Sequence, residues 1–445
     1  MLLASTGQRI TGDDMNPAIE NLKNLPGPDT IDRKTISNGS IILTFSNFNN
    51  QSINLVGLLE NGGVVDPEDK LGLAHFTASM LSRGTEKRSF AEYHDALESR
   101  GANLVFSCGS QQTWFRGKAL AEDTSLLFEL AAESLRFPAF PPDYIERLRN
   151  QLLAGLAIRD QDTSEVASLL FDQTLFPGHP FSHPVDGYIE TIQPITRDDL
   201  ITFHQDYYTP EGLILVAAGA VDSTQIGELA EKHFGDWNNP AAIKIAVQPV
   251  PSAPSKNIRK HRYVEEKSQS DLFMGSYGPS RPSEDYLPVF LGNNILGQFG
   301  LMGRIGESVR SKSGLAYHAS SSINGWADAG TWEFVAGLNP ENLDKAIELI
   351  RDEIRRFINS PVSAEELNDS KSNLIGRLPL SLESNAGIAN AILTIERFNL
   401  GMDYYQRYPD LMQSITAQKI LDSSRKFLHP DKMVIASAGE GKNTG

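Results

Sequence analysis

Cysteine is almost absent from this chain, and other features that would fix its location are missing too. A single cysteine, Cys108, among 445 residues rules out an internal disulfide. No apolar run is long enough to span a bilayer. Residues 1–9 have too short an apolar stretch for a secretory signal and lack the Arg- and Ser-rich pattern of a transit peptide. We therefore expect a cytoplasmic protein that does not act at a membrane.

Basic residues are outnumbered by acidic ones. The chain has 40 Lys and Arg against 56 Asp and Glu, a formal net charge of −16, which argues against a nucleic-acid partner. Its content of 40% hydrophobic and 22% charged residues is typical of a globular protein. The length predicts two or three domains.

Two halves of the chain repeat one pattern. Residues 208–219 and 428–439 both place a Pro-bearing turn before an apolar strand, at an offset of about 220 residues (428 minus 208). The predicted helices 143–156 and 365–378 match at a similar offset. We therefore predict an α+β fold made by tandem duplication of one α/β-sandwich domain, with helices packed on a mainly antiparallel sheet. The predicted parts are a lead-in (1–30), a first copy (31–237), a Pro-rich linker (238–256) and a second copy (257–445).

Local signals predict individual elements of the first copy. Asn38-Gly39 lies between two β-rich runs and predicts a hairpin. Ser89 followed by Glu92 has the spacing of a capping box and predicts a helix start.

One short helix is predicted within residues 72–85, GLAHFTASMLSRGT. Leu73, Phe76 and Met80 recur at helical spacing and should face a core. His75 and Ser79 lie one turn apart and should share another face of the helix. The usual role of such a histidine is packing or local hydrogen bonding.

This string resembles the pitrilysin, insulinase and mitochondrial-processing-peptidase family of zinc peptidases. The family has His-x-x-Glu-His here, in which two histidines bind zinc and the Glu takes a proton from the bound water. The resemblance includes His75 but fails at Ala78, which replaces the Glu, and at Ser79, which replaces the second His. It implies a third ligand, a Glu, in the helix near 143–159, yet residues 150–158 contain no acidic residue. Because zinc sites use three or four protein ligands, we expect no metal site in this chain.

A second group of histidines lies in a predicted loop. His179 and His183 are surrounded by prolines and a glycine. Loop His pairs that lack Cys or carboxylate support seldom form a zinc site. We therefore favour a structural role for them over a metal site.

The second copy contains a Gly-rich turn followed by RSKSGLAY, residues 310–317. This resembles the family's Arg-x-x-x-Gly-Leu-Ala-Tyr segment, whose Arg and Tyr bind the peptide near the scissile bond. The resemblance implies that Arg310 and Tyr317 bind substrate. Their chemistry suits this role, because a guanidinium donates paired hydrogen bonds and a phenol can stabilise an oxyanion. The alternative is an Arg310–Glu307 surface ion pair and a strand residue at Tyr317.

Three functions remain open. The resemblance implies a non-catalytic, substrate-binding subunit of a heterodimeric zinc peptidase, since some bacterial members divide the zinc motif and the Arg/Tyr pair between two chains. The homologous partner would then carry His-x-x-Glu-His and the zinc, and unfolded peptides would be the substrates. The second possibility is a purely structural scaffold, like the core proteins of respiratory cytochrome bc complexes. The third is an unrelated enzyme that uses His75, although no Ser or Cys nucleophile motif is visible.

Overall fold

The structure, a computed structural model, describes residues 25–246 and 249–440, apart from the side chain of Leu301. Most of the predicted lead-in, at 1–24, lies outside the described residues. So do residues 247–248 of the predicted linker and the last five residues, 441–445.

The first half builds a six-stranded sheet in the order β1-β2-β6-β3-β5-β4. Only the β2–β6 pair is parallel among these strands. The strands are β1 (Ile31–Thr35), β2 (Ile41–Ser46), β3 (Ser52–Leu59), β4 (Asn103–Cys108), β5 (Thr113–Leu120) and β6 (Ile214–Gly219). The helices are α1 (Leu73–Met80), α2 (Phe90–Glu98), α3 (Thr124–Arg136), α4 (Pro142–Arg159), α5 (Thr163–Leu175), α6 (Ile189–Ile192), α7 (Arg197–Tyr207) and α8 (Ser223–Phe234).

The second half builds a five-stranded sheet in the order β7-β11-β8-β10-β9. Here β7–β11 is the parallel pair. The strands are β7 (Ile258–Tyr263), β8 (Ser270–Tyr277), β9 (Ala316–Gly325), β10 (Gly330–Leu338) and β11 (Val434–Gly439). The α-helices are α9 (Tyr286–Gly297), α10 (Phe299–Ile305), α11 (Leu343–Asn359), α12 (Ala364–Ser381), α13 (Asn385–Arg397), α14 (Tyr404–Ser414) and α15 (Ala417–Phe427), and a π-helical segment spans Gly306–Lys312.

Apart from β1, which has no counterpart among the described strands of the second half, the two halves have the same topology. This confirms the predicted α+β class and tandem duplication. In each sheet, the one parallel pair joins an early strand of the copy to its last strand. A hairpin, β4–β5 or β9–β10, forms the opposite edge. A pair of long helices, α4 and α5 or α12 and α13, follows the hairpin and one intervening helix. None of the helices in the described ranges combines the length and apolar composition that a bilayer span requires.

The halves are joined by an exchange of helices that the sequence did not predict. Helix α5 belongs to the first half by chain order, but it packs on β8 and β11 of the second sheet. Helix α13 belongs to the second half and packs on β3 and β6 of the first sheet. Leu58 of β3 and Ile392 of α13 are thus buried in one hydrophobic cluster. One face of each sheet is therefore buried by a helix from the other half and would be exposed without it.

Hydrogen bonds fix the start of each exchanged helix at equivalent places. Thr163 begins α5, and its hydroxyl donates to the Asp271 carboxylate of β8 at 2.5 Å. Asn385 begins α13, and its amide donates to the Ser52 carbonyl of β3 at 3.4 Å. Thr163 and Asn385 are 222 residues apart (385 minus 163), close to the offset of the repeat.

We predict that a charge placed under either exchanged helix destabilises the whole chain. Ala167 on α5 and Ala389 on α13 are fully buried and are also 222 residues apart (389 minus 167). An unpaired buried carboxylate costs several kcal/mol, so Ala167→Glu and Ala389→Glu should each lower the free energy of unfolding by about 3 kcal/mol or more. Urea unfolding followed by circular dichroism measures this change, and the wild-type chain should unfold in one transition.

Ala154→Glu on α4 is the matched control, because Ala154 is exposed and its replacement should leave the urea midpoint unchanged. A wild-type midpoint in either buried-site variant would contradict the exchange.

Candidate functional site

Helix α1 is anchored at its first turn by a carboxylate. Gly72, with φ of 94°, precedes the helix in a left-handed conformation that favours glycine. Asp66 accepts hydrogen bonds from the backbone N–H groups of Gly72 and Ala74, each at 2.8 Å. These N–H groups would otherwise lack partners at the helix start. The carboxylate of Asp66 therefore fixes the position and direction of the helix that carries His75.

The ionisation of this carboxylate is perturbed. Burial raises the pKa of Asp66 to about 7, although the hydrogen bonds from Ala74, Gly72 and Leu73 act in the opposite direction. Desolvation thus outweighs the stabilisation that the backbone dipoles give to the charged form.

His75 and Ser79 are the two residues of α1 that are not fully buried. Their spacing of four places both on the same face of the helix. Burial lowers the pKa of His75, and the nearby Asp186 carboxylate opposes this change. Ala78 is fully buried, so the helix presents an imidazole and a hydroxyl on one face and a methyl group in the core.

Helix α4, expected to hold a third ligand, packs beside α1. The guanidinium of Arg149 on α4 lies 5.5 Å from the centroid of the Phe76 ring. Arg149 also donates to the carbonyl groups of Ile192 and Ile195, at 2.8 and 2.7 Å, which connects α4 to the end of α6 and the residues after it. Within residues 25–246 and 249–440, no group of three or more His, Cys, Asp or Glu side chains has the arrangement of a metal site.

The two loop histidines make local contacts. His179 is buried, and its Nδ1 accepts a hydrogen bond from the Phe181 backbone at 3.1 Å, which caps a short 3-10 turn. His183 Nδ1 lies 3.4 Å from the Tyr188 hydroxyl. Both contacts are of the structural kind that the sequence favours.

Arg310 and Tyr317 lie close in the chain and are both exposed. Arg310 is in the π-helical segment, and Tyr317 is the second residue of the edge strand β9. The Tyr317 side chain is 68% exposed. The backbone N–H of Leu315 donates to the carbonyl of Val309 at 3.0 Å, which closes the turn between Arg310 and Tyr317.

The alternative ion pair between Arg310 and Glu307 is not formed. Glu307 pairs with Lys312 at 3.0 Å instead. Among the residues with described side chains, none forms an ion pair with Arg310.

The Gly-rich turn before this segment has an irregular backbone. Gly300 and Gly303 have φ of 64° and 63°, and the non-glycine Met302 has φ of 70°. A Cβ at position 303 would lie 2.6 Å from the backbone of Gly297 and Ile295. Glycine at 303 therefore permits both the backbone conformation and the close approach.

Comparisons with known proteins match this architecture along most of the chain. A family model described as insulinase, peptidase family M16, matches residues 43–185, and one described as the peptidase M16 inactive domain matches residues 194–374. The chain belongs to the M16 peptidase family. The first match includes His75, Ala78 and Ser79, whereas the second includes Arg310 and Tyr317.

Three relatives illustrate the range of similar M16 proteins. A protein of Streptomyces coelicolor named an uncharacterized zinc protease is 26% identical over 379 residues, 83% of this chain and 81% of its own length. The mitochondrial-processing peptidase subunit beta of Lentinula edodes is 26% identical over 375 residues, 80% of this chain and 79% of its own. A crystal structure from Pseudomonas fluorescens, described as a peptidase M16 inactive domain, has a TM-score of 0.86 at 25% identity and covers 93% of this chain and 98% of that chain.

Sequence reasoning missed Asp66, the residue that anchors the M16 motif helix. An Asp six residues before Gly72 does not have the usual capping spacing, because an N-cap side chain normally reaches an N–H two or three residues ahead. Residues 66–72 instead contain a short 3-10 turn, Glu68–Lys70, which brings the carboxylate back to the helix start. Asp66 followed by Pro67 was the available signal, and it indicated only a turn.

We predict that Asp66 makes the stability of this M16 chain pH-dependent. The folded protein holds the proton up to about pH 7, whereas the unfolded chain releases it near the ordinary value of 3.8. Stability should therefore fall as the pH rises from about 4 to about 7. The loss is at most about 4 kcal/mol, since one pKa unit corresponds to about 1.4 kcal/mol and partial exposure screens the charge.

Urea midpoints of the wild type, Asp66→Asn and the exposed-site control Asp69→Asn, each at pH 5 and pH 7.5, isolate this effect. The difference between the two pH values should shrink in Asp66→Asn and persist in Asp69→Asn. An unchanged difference in Asp66→Asn would refute the assignment.

Proposed function

We propose that this chain is the non-catalytic, substrate-binding subunit of a heterodimeric zinc metallopeptidase. The observation that carries the proposal is a contrast between the two copies. The first copy has Ala78 and Ser79 where the M16 chemistry needs a base and a ligand. The second copy keeps Arg310 and Tyr317, and both are exposed.

The chemistry of the first copy supports a non-catalytic role. A peptidase zinc needs three protein ligands and an open position for water. Helix α1 offers His75 alone at the family's ligand positions, and residues 150–158 of α4 offer no carboxylate. Ala78 cannot accept a proton from water, so neither metal binding nor general-base catalysis has the groups that it requires.

The environment of Arg310 and Tyr317 supports peptide binding. Lys312 neutralises Glu307, and Glu366 binds Arg304 through two hydrogen bonds of 2.6 and 2.7 Å. These nearby carboxylates are therefore occupied, and the Arg310 guanidinium is left to donate to peptide carbonyl groups. The Tyr317 phenol points into solvent from an edge strand, where it could donate to an oxyanion formed at a zinc of the partner subunit.

The proposed partner is a homologous chain that carries His-x-x-Glu-His and binds the zinc. The two subunits would enclose a chamber for unfolded peptides in the cytoplasm. A purely structural scaffold is the alternative, but it would give no reason for an exposed arginine that has no ion pair among the described residues, seven positions before an exposed tyrosine.

We predict that the purified chain binds no stoichiometric zinc and cleaves no peptide by itself. Activity should appear on mixing with a homologous subunit that has the intact motif, because that subunit supplies the metal and base. Zinc analysis by mass spectrometry and cleavage of a fluorogenic peptide measure the two properties. One tightly bound zinc per chain would overturn the non-catalytic assignment, and a mixture that forms a complex without peptidase activity would favour the scaffold.

We further predict that Arg310→Ala and Tyr317→Phe lower the activity of the complex by about tenfold or more, the usual effect of losing a donor to substrate or oxyanion. Arg310→Ala should mainly raise KM, and Tyr317→Phe should mainly lower kcat.

Arg259→Ala is the matched control for Arg310→Ala. It removes an exposed guanidinium from β7, the opposite edge strand of the same sheet, but one that is paired with Asp344, so activity should stay near wild type. Full activity of both test variants in an intact complex would remove the substrate-binding role.

A further inference from the structure

A cleft between the two halves contains two arginines that the proposed peptidase role does not use. One side of the cleft is the first sheet, on the face that α13 covers. The other side is the C-terminal end of α13. Two adjoining cavities of about 320 and 240 Å³ form the cleft and share Gln112 and Arg397 in their walls. The cleft combines strand residues of the first half with helix residues of the second.

Arg397 is the last residue of α13, and its charge is poorly compensated. Its Nη2 donates to the amide oxygen of Gln112 at 2.5 Å, and its guanidinium lies 4.7 Å from the centroid of the Phe398 ring. Burial lowers the pKa of Arg397, and the Glu60 carboxylate, which lines the smaller cavity, partly opposes this change. No carboxylate of the described residues forms an ion pair with it. Its desolvation is thus offset by an amide, a weaker partner than a carboxylate.

Arg116 supplies a second guanidinium to the same cleft. It lies on β5, and its guanidinium is 4.4 Å from the centroid of the Trp114 ring. In the register of β3 and β5, Arg116 lies opposite Val56 and Trp114 lies opposite Leu58. The side chains of Arg116 and Trp114 are therefore on the same face of the sheet, the face on which α13 packs. In the described part of the chain Arg116 has no ion-pair partner either. Although acidic residues outnumber basic ones by 56 to 40, neither arginine of this cleft is paired with one.

The other walls of the larger cavity are apolar or neutral, whereas Glu60 and Asp328 line the smaller one, where Asp328 accepts a hydrogen bond from the Gln111 amide at 2.8 Å. Leu393 and Phe398 of the second half face Trp114 and Leu58 of the first across the larger cavity. A ligand that fits these walls has an apolar or aromatic body, and a ligand that compensates the two guanidinium groups has a carboxylate, which a guanidinium can bind through two parallel hydrogen bonds.

We propose that the larger cavity of this cleft binds a carboxylate-bearing ligand with an aromatic or apolar body. Arg397 binds the carboxylate, and Arg116 and Trp114 contact the body and the remaining charge. The carboxyl terminus of a peptide and a small aromatic acid share this chemistry. The site uses neither Arg310 nor Tyr317 and requires no zinc, so it can fail or hold independently of the proposed subunit role.

Isothermal titration calorimetry with the full chain tests the proposal. The first probe is N-acetyl-L-phenylalanine, and its amide has the same body without the charge. The acid should bind at least tenfold more tightly than the amide. A tripeptide ending in Phe, with a free or an amidated C-terminus, then distinguishes a peptide end from a small acid. If the tripeptide with the free C-terminus binds more tightly than the acetylated amino acid, the ligand is a peptide end. The reverse order indicates a small acid.

Variants assign the binding to the two arginines. Arg397→Gln should weaken binding of the acid tenfold or more, Arg116→Gln should weaken it less, and Arg397→Lys should retain part of it because a charge remains. Arg147→Gln is the matched control, since Arg147 also lies beside an aromatic ring, at 5.1 Å from Tyr144 on α4. Urea midpoints verify that each variant is folded. Equal affinity for acid and amide, wild-type affinity in folded Arg397→Gln, or no binding of either probe at millimolar concentration would overturn the proposal.

Discussion

The exchange of helices α5 and α13 is the constraint on which the other features depend. Each sheet has one face covered by helices of its own half and a second face that would be exposed without a helix from the other half. Apolar sheet faces of this size are not stable in water, so neither half is complete alone. We therefore expect the motif helix of the first copy and the Arg310 segment of the second to unfold together. The Arg397 cleft exists only because α13 crosses to the first sheet.

The contacts that position the motif helix do not depend on the residues at the family's zinc-binding and base positions. Leu73, Phe76 and Met80 fill the core, and Asp66 holds the first turn from outside the helix. These contacts do not involve the face of His75 and Ser79, where substitution costs little packing energy. Ala78 is fully buried, and a Glu there would need a metal-bound water or another partner to offset its desolvation. Once the ligands are absent, a small apolar side chain at this position is the more stable choice.

The sequence was sufficient where the determining contacts are local. The hairpin around Asn38-Gly39 was predicted correctly, with Gly39 at φ of 89°, and the structure contains the capping box of Ser89 and Glu92. The duplication was also visible, because both copies preserve the order of their elements. The sequence did not show on which sheet α5 and α13 pack, because an apolar stripe indicates that a helix is buried but not which sheet covers it. Arg397 and Gln112 are separated by 285 residues, so no local pattern could indicate the cleft.

The duplication also shows where the second copy departs from regular structure. In the first copy, the edge strand β4 is preceded by a capped α-helix, α2. In the second copy, the edge strand β9 is preceded by a π-helical turn, Gly306–Lys312. A π-helix is less stable than an α-helix and is frequent at functional sites. Positive φ at Gly300, Met302 and Gly303 adds strain just upstream. The same fold accommodates a regular helix at this place, so packing alone does not require the irregular form. Under the proposed function, the irregular form is explained by what Arg310 and Tyr317 bind rather than by what they stabilise.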